Sequence, residues 1–380
     1  DRVYGLVNRI RQGNPKAAVV ITGCLARRED VKRRLRGKVD LFMPINELPN
    51  IFALLKDSHR QLSLSTDAVR ELSGEKYLTI IPKYQSTFTA YIPIGNGCNN
   101  FCSYCVVPYA RGREVYRPAA DVIKEAKALL KRGYKEIILI AQNVNSYRSG
   151  RTNFLQLLSK LAALPGNFWL RFSSSHPKDL SPELIKVLAS SDKICHHLHV
   201  AVQSGDDEIL KAMNRHYTVA HFSSLIKKIR KAKPGIALTT DVIVGFPGET
   251  KKQFQNSVKL FKNLQFDMAY IAQYSPRPGT ASWYMKDNVS REEKHRREQI
   301  LTEILRKSGK KANRAYWRRT VIVLVEGKNR RGGYYGKTSS FKTVSFTAPS
   351  EVRPEDIIGN FVSVKIQKVQ DFGLEGVLKK

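Results

Sequence analysis

Residues 97–105 read GCNNFCSYC, and the three cysteines of that window, Cys98, Cys102 and Cys105, set what the surrounding fold must support. Thiolates are the usual protein ligands of iron–sulfur clusters. Three of them at C-x3-C-x2-C spacing can hold three irons of a [4Fe-4S] cluster and leave the fourth iron without a protein ligand. An open iron suits a cluster that binds and reduces a small molecule, whereas an electron relay has no need of one. A structural zinc site would want four ligands, as paired cysteines or as cysteines with a spaced histidine. No second pair and no nearby histidine completes such a set, since the next histidine downstream is His176. A disulfide framework fits no better: five cysteines in 380 residues are sparse, odd in number and clustered.

Outward from this window, residues 91–274 alternate between apolar strands and amphipathic helices. The strands are expected at 91–94, 136–140, 168–172, 197–202, 237–244 and 268–273. Between them lie helical patterns such as 121–131, with Val122, Ile123, Ala126, Leu129 and Leu130 on one face and Gly133 as the stop. Thr250 and Gln253 form a capping box ahead of another helix, running to Leu264. Such alternation gives a parallel sheet with right-handed crossovers. Six units are too few for a closed eight-stranded barrel, so an open, partial (β/α)6 barrel is expected.

Upstream, residues 1–56 read helix, strand, helix, strand, as part of a separate α/β domain. The run AAVVIT (17–22) is a buried parallel-type strand, with Cys24 just beyond its carboxyl end, on the edge where open α/β sheets hold ligands. A lone cysteine is more often a small buried thiol. Downstream of a basic helix (291–315), the pattern shifts to period-two strands with Gly-rich turns at 320–326, 334–338, 343–346, 361–369 and 373–378. These suggest a small antiparallel β-barrel of the OB kind, a common nucleic-acid binder. Lys328, Arg330, Arg331, Lys337 and Lys342 lie on it among Tyr334, Tyr335 and Phe341, and this mixture suits phosphate contacts with base stacking.

The composition points the same way. With 65 Lys and Arg against 33 Asp and Glu, the formal charge is +32, and a pI near 10.0 favours a polyanionic partner. No apolar run approaches the ~20 residues of a membrane helix, and no amphipathic membrane-surface helix is evident, so no membrane partner is expected. With no signal peptide, a reducing cytoplasm is the expected compartment. The sequence begins at Asp1 inside an amphipathic helix, from which missing N-terminal sequence is expected.

The windows GCNNFCSYCVVPYARG, LIAQNVNSY, SSSHPKDLSPEL, HLHVAVQSGDDEILKAMNRHYT, TTDVIVGFPGET and YSPRPGT are similar, in this order, to the radical-SAM methylthiotransferases. The C-terminal barrel resembles their TRAM domain, and TGCLARRED resembles the end of their N-terminal domain. The implied boundaries are 1–75, 84–315 for the radical-SAM core, and 316–380. LIAQNVNSY with YSPRPGT looks most like the MiaB type, which implies a transferase that installs SCH3 at C2 of N6-isopentenyladenosine-37 in tRNA. MNRHYT also resembles the type acting on threonylcarbamoyl-adenosine tRNA. A methylthiotransferase acting on a ribosomal protein and a non-enzymatic RNA-binding metalloprotein compete with that reading.

The resemblance implies that Cys98, Cys102 and Cys105 hold a [4Fe-4S] cluster whose open iron takes S-adenosylmethionine (SAM). Cleavage of SAM there yields a radical able to remove hydrogen from an unactivated adenine carbon. Cys24 would be one of three ligands of a second [4Fe-4S] cluster that holds the sulfur, yet no other cysteine precedes it in this chain. Candidate SAM contacts are the strand-end residues Gln142, Asn143, Ser174, Gln203 and Ser204 and the Gly245–Gly248 turn, although GFPGET also reads as a plain turn and helix cap. Arg215 is equally suited to SAM, substrate or a surface ion pair, and Cys195 reads as core. The histidines 176, 196, 197 and 199 read as local hydrogen-bonding groups. Implied partners are tRNA, through its anticodon-loop adenosine, and an electron donor such as flavodoxin or ferredoxin.

Overall fold

The structure is a computed structural model that describes residues 2–57, 75–80, 82–330 and 332–379. At the amino end, the helix Arg2–Gly13 turns Val7 and its neighbours against a two-stranded parallel sheet of β1 (Val20–Thr22) and β2 (Leu41–Met43). The strand is shorter than the apolar run AAVVIT, because Asp40 accepts the Val19 N–H at 2.6 Å and starts the pairing late. Cys24 lies in a short 3-10 turn directly after β1, on the expected edge.

Six strands follow: β3 (Thr89–Pro93), β4 (Glu136–Ile140), β5 (Trp169–Phe172), β6 (His197–His199), β7 (Ala237–Val244) and β8 (Met268–Gln273). All neighbouring pairs are parallel, in the order β3-β4-β5 and β6-β7-β8. Single parallel bridges, Leu170 to Ile194 and Ser175 to Val200, join the two halves into one curved sheet. The expected open six-unit barrel is what forms. The strand expected over 197–202 stops at His199, where Gln203 takes up a left-handed backbone (φ 69°) and bends the chain into the loop beyond.

Helices cover the outer face, and their apolar stripes (Val122, Leu157, Leu184, Phe222 and Phe254 among them) complete one continuous core. The capping box at Thr250 and Gln253 is present, with Gln253 N–H donating to Thr250 Oγ1 at 3.2 Å. The long helix Arg291–Arg314 buries Leu301 and Leu305 against this core. Gly309 then lets the backbone at Asp371 approach, where a side chain would meet the Asp371 carbonyl at 2.6 Å.

The carboxyl end is a closed five-stranded barrel of β9 (Thr320–Lys328), β10 (Tyr334–Lys337), β11 (Thr343–Thr347), β12 (Phe361–Val369) and β13 (Gly373–Leu378), in the order β9-β10-β11-β13-β12. One pair departs from the expected antiparallel pattern: β11 and β13 run parallel. The chain crosses over through the short helix Pro354–Ile357 before β12, so the last strand arrives in the same direction as β11. Trp169 and Phe361 pack as tilted rings, centroids 4.7 Å apart, where this barrel meets the core.

Candidate active site

The cysteine window leaves β3 as a loop whose conformation is tightly specified. Gly97 adopts φ +82°, and a Cβ there would lie 2.1 Å from the Arg113 carbonyl, so only glycine fits. Cys98 N–H donates to Gly112 O at 3.1 Å and Cys105 N–H to Cys102 O at 2.9 Å. Ser103 is pinned across the barrel by its N–H to Met213 O and its hydroxyl to Ala212 O, and Asn214 donates to Phe101 O at 2.9 Å. The loop is therefore braced from β3 on one side and from the helix Asp207–Ala212 on the other.

Two of the three sulfurs carry donors. Asn100 Nδ2 lies 3.4 Å from Cys98 Sγ, and Arg215 Nη1 lies 3.4 Å from Cys102 Sγ. Arg215 is itself buried, held by Ala201 O at 2.8 Å and by the Tyr217 hydroxyl at 3.0 Å. Burial raises the Cys98 thiol above its ordinary value and pushes Cys105 up to about 11, with the neighbouring cysteines adding to the effect. Binding iron as thiolates would release those protons. Among the described residues, no three His, Cys, Asp or Glu side chains close on a point where one ion would sit. Cys102 is close enough to help raise both Cys98 and Cys105, and two of the three sulfurs have N–H donors aimed at them, which suits a polynuclear cluster.

The strand-end residues divide into two groups. Ser174 and Gln203 line a 500 Å³ cavity at the carboxyl ends of the strands, together with His199, Asp241 and Tyr270. Gln142 Oε1 is buried without a partner, an unspent acceptor such as an amino group of a ligand would satisfy. The remainder are used internally. Asn143 donates to Asp179 at 2.7 Å and accepts from His176 N–H at 3.3 Å, while Ser204 is fully buried and accepts from Asp206 N–H at 3.3 Å. Gly245 and Gly248 depart from the expected ligand role of their N–H groups. Gly245 N–H is taken by Glu249 at 2.6 Å, which Arg297 clamps at 2.7 Å, and Gly248 N–H goes to Asn288 at 2.8 Å.

The amino-terminal unit docks beside the cysteine loop. Arg27 donates to Tyr109 O at 3.1 Å, and Asn96 joins Arg111 (3.0 Å) to Asn46 (3.1 Å). Cys24 is half-buried and near enough to Cys105 to help raise its thiol. Thr22 Oγ1, two residues before it, is another buried atom without a partner.

On the terminal barrel, Lys328 and Arg330 are exposed, and Arg331 lies outside the described residues. Lys342 corrects the expectation of an RNA contact: it is 7% exposed and paired with Asp267 at 2.6 Å, closing the barrel against the core. Lys337 is half-buried, 4.0 Å over the Phe341 ring. Tyr334 is core, stacked on Phe346. Cys195 is likewise core, its thiol pushed up to about 12 by burial.

Arg215, which the sequence left between a ligand contact and a surface ion pair, and Asn100, which the sequence did not single out, are the residues whose N–H groups reach the sulfurs. Asn100 sits inside the cysteine window, and Arg215 follows the MN dipeptide whose Asn214 braces the same loop. The histidines form a further arrangement. Thr239 Oγ1 lies 3.1 Å from both His197 Nε2 and His199 Nδ1, and His199 Nε2 lies 3.3 Å from Asp241 Oδ2. This polar chain runs up the inner face of the barrel.

Comparison with known proteins agrees with this geometry. Residues 92–261 match the Radical SAM superfamily and residues 314–379 the TRAM domain. The chain is 37% identical over 386 aligned residues to a protein of Clostridium botulinum (strain Langeland) named tRNA-2-methylthio-N(6)-dimethylallyladenosine synthase, covering 99% of this chain and 84% of that one. It is also 37% identical to the protein of that name from Carboxydothermus hydrogenoformans, over 98% of this chain and 86% of that one. Among solved structures, coproporphyrinogen III oxidase (HemN) from Escherichia coli matches with a TM-score of 0.44 at 17% identity, over 77% of this chain and 70% of that one. With a braced cysteine loop on a six-stranded open barrel and 37% identity to the two synthases over nearly all of its own length, the chain belongs to the radical-SAM methylthiotransferase family, of the MiaB type.

Proposed function

We propose that this protein is a tRNA methylthiotransferase that places a methylthio group on C2 of N6-isopentenyladenosine at position 37, in the cytoplasm. The observation that carries this reading is the cysteine loop, with Asn100 and Arg215 donating to the Cys98 and Cys102 sulfurs, in a chain 37% identical over 99% of its length to synthases of that name. Cys98, Cys102 and Cys105 would hold a [4Fe-4S] cluster. That cluster with SAM supplies a carbon radical strong enough to take hydrogen from an adenine carbon, which no side-chain base could do.

The chain's own residues bind and orient. Ser174 and Gln203 line the space where SAM would lie, Gln142 just beyond β4 offers an unspent acceptor, and Asn143 holds the backbone of that edge through His176. Arg215 keeps a positive charge and an N–H donor 3.4 Å from the Cys102 sulfur. Cys24 would be one ligand of a second cluster, whose other thiolates would have to come from outside these 380 residues. Lys328 and Arg330 would meet tRNA phosphates, and flavodoxin or ferredoxin would supply electrons.

The test is direct. The protein, reconstituted anaerobically with iron and sulfide, is given reductant, SAM and isopentenylated tRNA. Mass spectrometry of the digested tRNA should show the 2-methylthio nucleoside. Cluster-loaded protein that cleaves SAM yet leaves the tRNA unchanged, while methylthiolating a ribosomal protein or threonylcarbamoyl tRNA, would overturn the reading.

A further inference from the structure

The cysteine loop is held on one flank by elements that carry large side chains to the surface. Ser103, next to Cys102, donates its N–H to Met213 O at 3.0 Å and accepts the Ser282 N–H at 2.8 Å. Ser282 belongs to the short turn Ala281–Tyr284, which is fixed by the Tyr274 hydroxyl, 2.9 Å from both Ser282 O and Ser282 Oγ. Beyond this anchor Trp283, Tyr284 and Met285 are 44%, 81% and 37% exposed. Phe101, two residues before Ser103, is 39% exposed and sits at φ 46°, a left-handed backbone that side chains other than glycine rarely adopt. Asn214 holds that conformation through the Phe101 carbonyl at 2.9 Å.

Four large apolar side chains left open around one loop exceed the scattered exposure that is ordinary for a surface. Aromatic residues, Met and Arg are also the types enriched in protein–protein contacts. The cations beside these rings are unspent. Lys211, Arg277 and Lys286 are exposed and form no ion pair among the described residues, and Arg113 stands 6.0 Å over the Phe101 ring. The carboxylate that follows them in the chain, Asp287, is already paired with Lys294 at 2.6 Å. None of these residues lines the mouth of the lumen, where Ser174, Gln203, Asp241 and Tyr270 lie. The face is therefore separate from the space for SAM and nucleoside, yet it is laid on the backbone that carries the thiols.

We propose that this face docks a small acidic one-electron carrier protein, which reduces the cluster held by Cys98, Cys102 and Cys105. The inference rests on the reading given under Proposed function and adds the surface through which the electron enters. The step moves one electron from the reduced carrier to the oxidised cluster, and no bond in either protein is made or broken. Position favours a carrier over RNA. An electron has to reach the sulfurs, and Phe101 and Ser103 stand on either side of Cys102 in the chain. A phosphate backbone would gain nothing from that closeness. Redox encounters bury little surface, so a few exposed rings with charges beside them are enough. The unpaired cations would steer the carrier's carboxylates, and association should weaken as salt is added.

The experiment separates delivery of the electron from its use. Cluster-loaded protein is mixed with reduced flavodoxin or, in a parallel set, reduced ferredoxin. Bleaching of the visible cluster absorption is followed at increasing carrier concentration, and its initial slope gives a second-order rate constant. Dithionite, which needs no docking face, is the second reductant. Trp283→Ala combined with Tyr284→Ala should lower the carrier's rate constant by roughly tenfold or more, as loss of interface anchors does. Lys286→Glu should lower it by about threefold at low salt and by less at high salt. Reduction and SAM cleavage driven by dithionite should match wild type in both. If the paired variant fails to fold, as judged by thermal melting, Tyr284→Ala and Lys286→Glu decide the matter. Carrier rates unchanged in the variants, or a wild type that dithionite reduces and neither carrier does, overturn the inference. Lost affinity for an anticodon stem-loop RNA at unchanged carrier rates gives the face to RNA and overturns it too. Wild type that dithionite reduces yet that cleaves no SAM sinks the functional reading instead.

Discussion

The two ends of the barrel lumen spend their polar groups differently. At the lower end charges are matched: Arg171 with Glu136 within the core sheet, and across the seam with the terminal barrel Lys342 with Asp267 and Arg171 again with the carbonyls of Thr338 and Ser339 at 3.4 and 3.2 Å. At the upper end, three thiols gather, two of them met by Asn100 and Arg215, with the Gln142 acceptor and Thr22 beside Cys24 buried without partners; at the lower end His197 Nδ1 and Asn313 Oδ1 are likewise without partners. A buried polar group without a partner costs stability. Such groups occur at both ends, so it is the gathered thiols, beyond the orphaned atoms, that mark the upper end as the place where a ligand completes the structure.

The sharpest way to break this contrast is Cys102→Ser. It should remove the cluster, so that iron content and visible absorption collapse and methylthio product falls below detection, while the melting temperature of the apoprotein barely moves. Arg171→Met should do the reverse. It leaves Glu136 buried and unpaired, which costs about 3–5 kcal/mol, read as a lowered urea midpoint. Iron content per folded molecule should stay at the wild-type level. Loss of iron in Arg171→Met, or a large stability loss in apo Cys102→Ser, would show that the two ends are one unit.

Arg215 tests the boundary between structure and chemistry. It is as buried as the lower-end arginine, yet its charge faces a sulfur. Arg215→Gln should lower cluster retention against a chelator by about 10–100-fold, the usual effect of losing a partner to a metal ligand. Lysine at this position should rescue part of the loss, because it restores charge without the hydrogen bonds to Ala201 and Tyr217. Equal chelation rates in all three proteins would reduce Arg215 to a packing residue.

Much of this contrast was legible in the residues, for physical reasons. Period and apolar runs depend on local pattern, so the expected strands 136–140, 237–244, 268–273, 361–369 and 373–378 coincide with those formed. The cysteine spacing carried its chemistry on its face. What stayed hidden depends on partners distant along the chain. Nothing near Lys342 announces Asp267, and the turn at Gly245 and Gly248 reads the same whether its N–H groups serve a ligand or, as here, Glu249 and Asn288. The parallel closure of β11 on β13 was hidden likewise, because alternation within a strand says nothing of its neighbour's direction.

The smallest expected effect lies at the seam, in His197. Burial holds its imidazole neutral, with a pKa well below the ordinary 6.5, and Arg171, His199, Lys342 and Lys337 add to the depression. The unfolded chain takes up this proton as pH falls through about 6.5, whereas the folded protein refuses it. Stability is therefore full above that pH and declines below it, by up to about 1.4 kcal/mol per pH unit for this one group. His197→Gln removes the titration. The pH dependence of its urea midpoint between neutrality and about pH 5 should be shallower than wild type by about that slope. His176, at the upper end and depressed to about 2 by burial and by Arg215, contributes with the same sign and should persist in the variant. Identical slopes in variant and wild type would mean that His197 is not sealed beneath Phe341, and that the seam admits water as freely as the mouth.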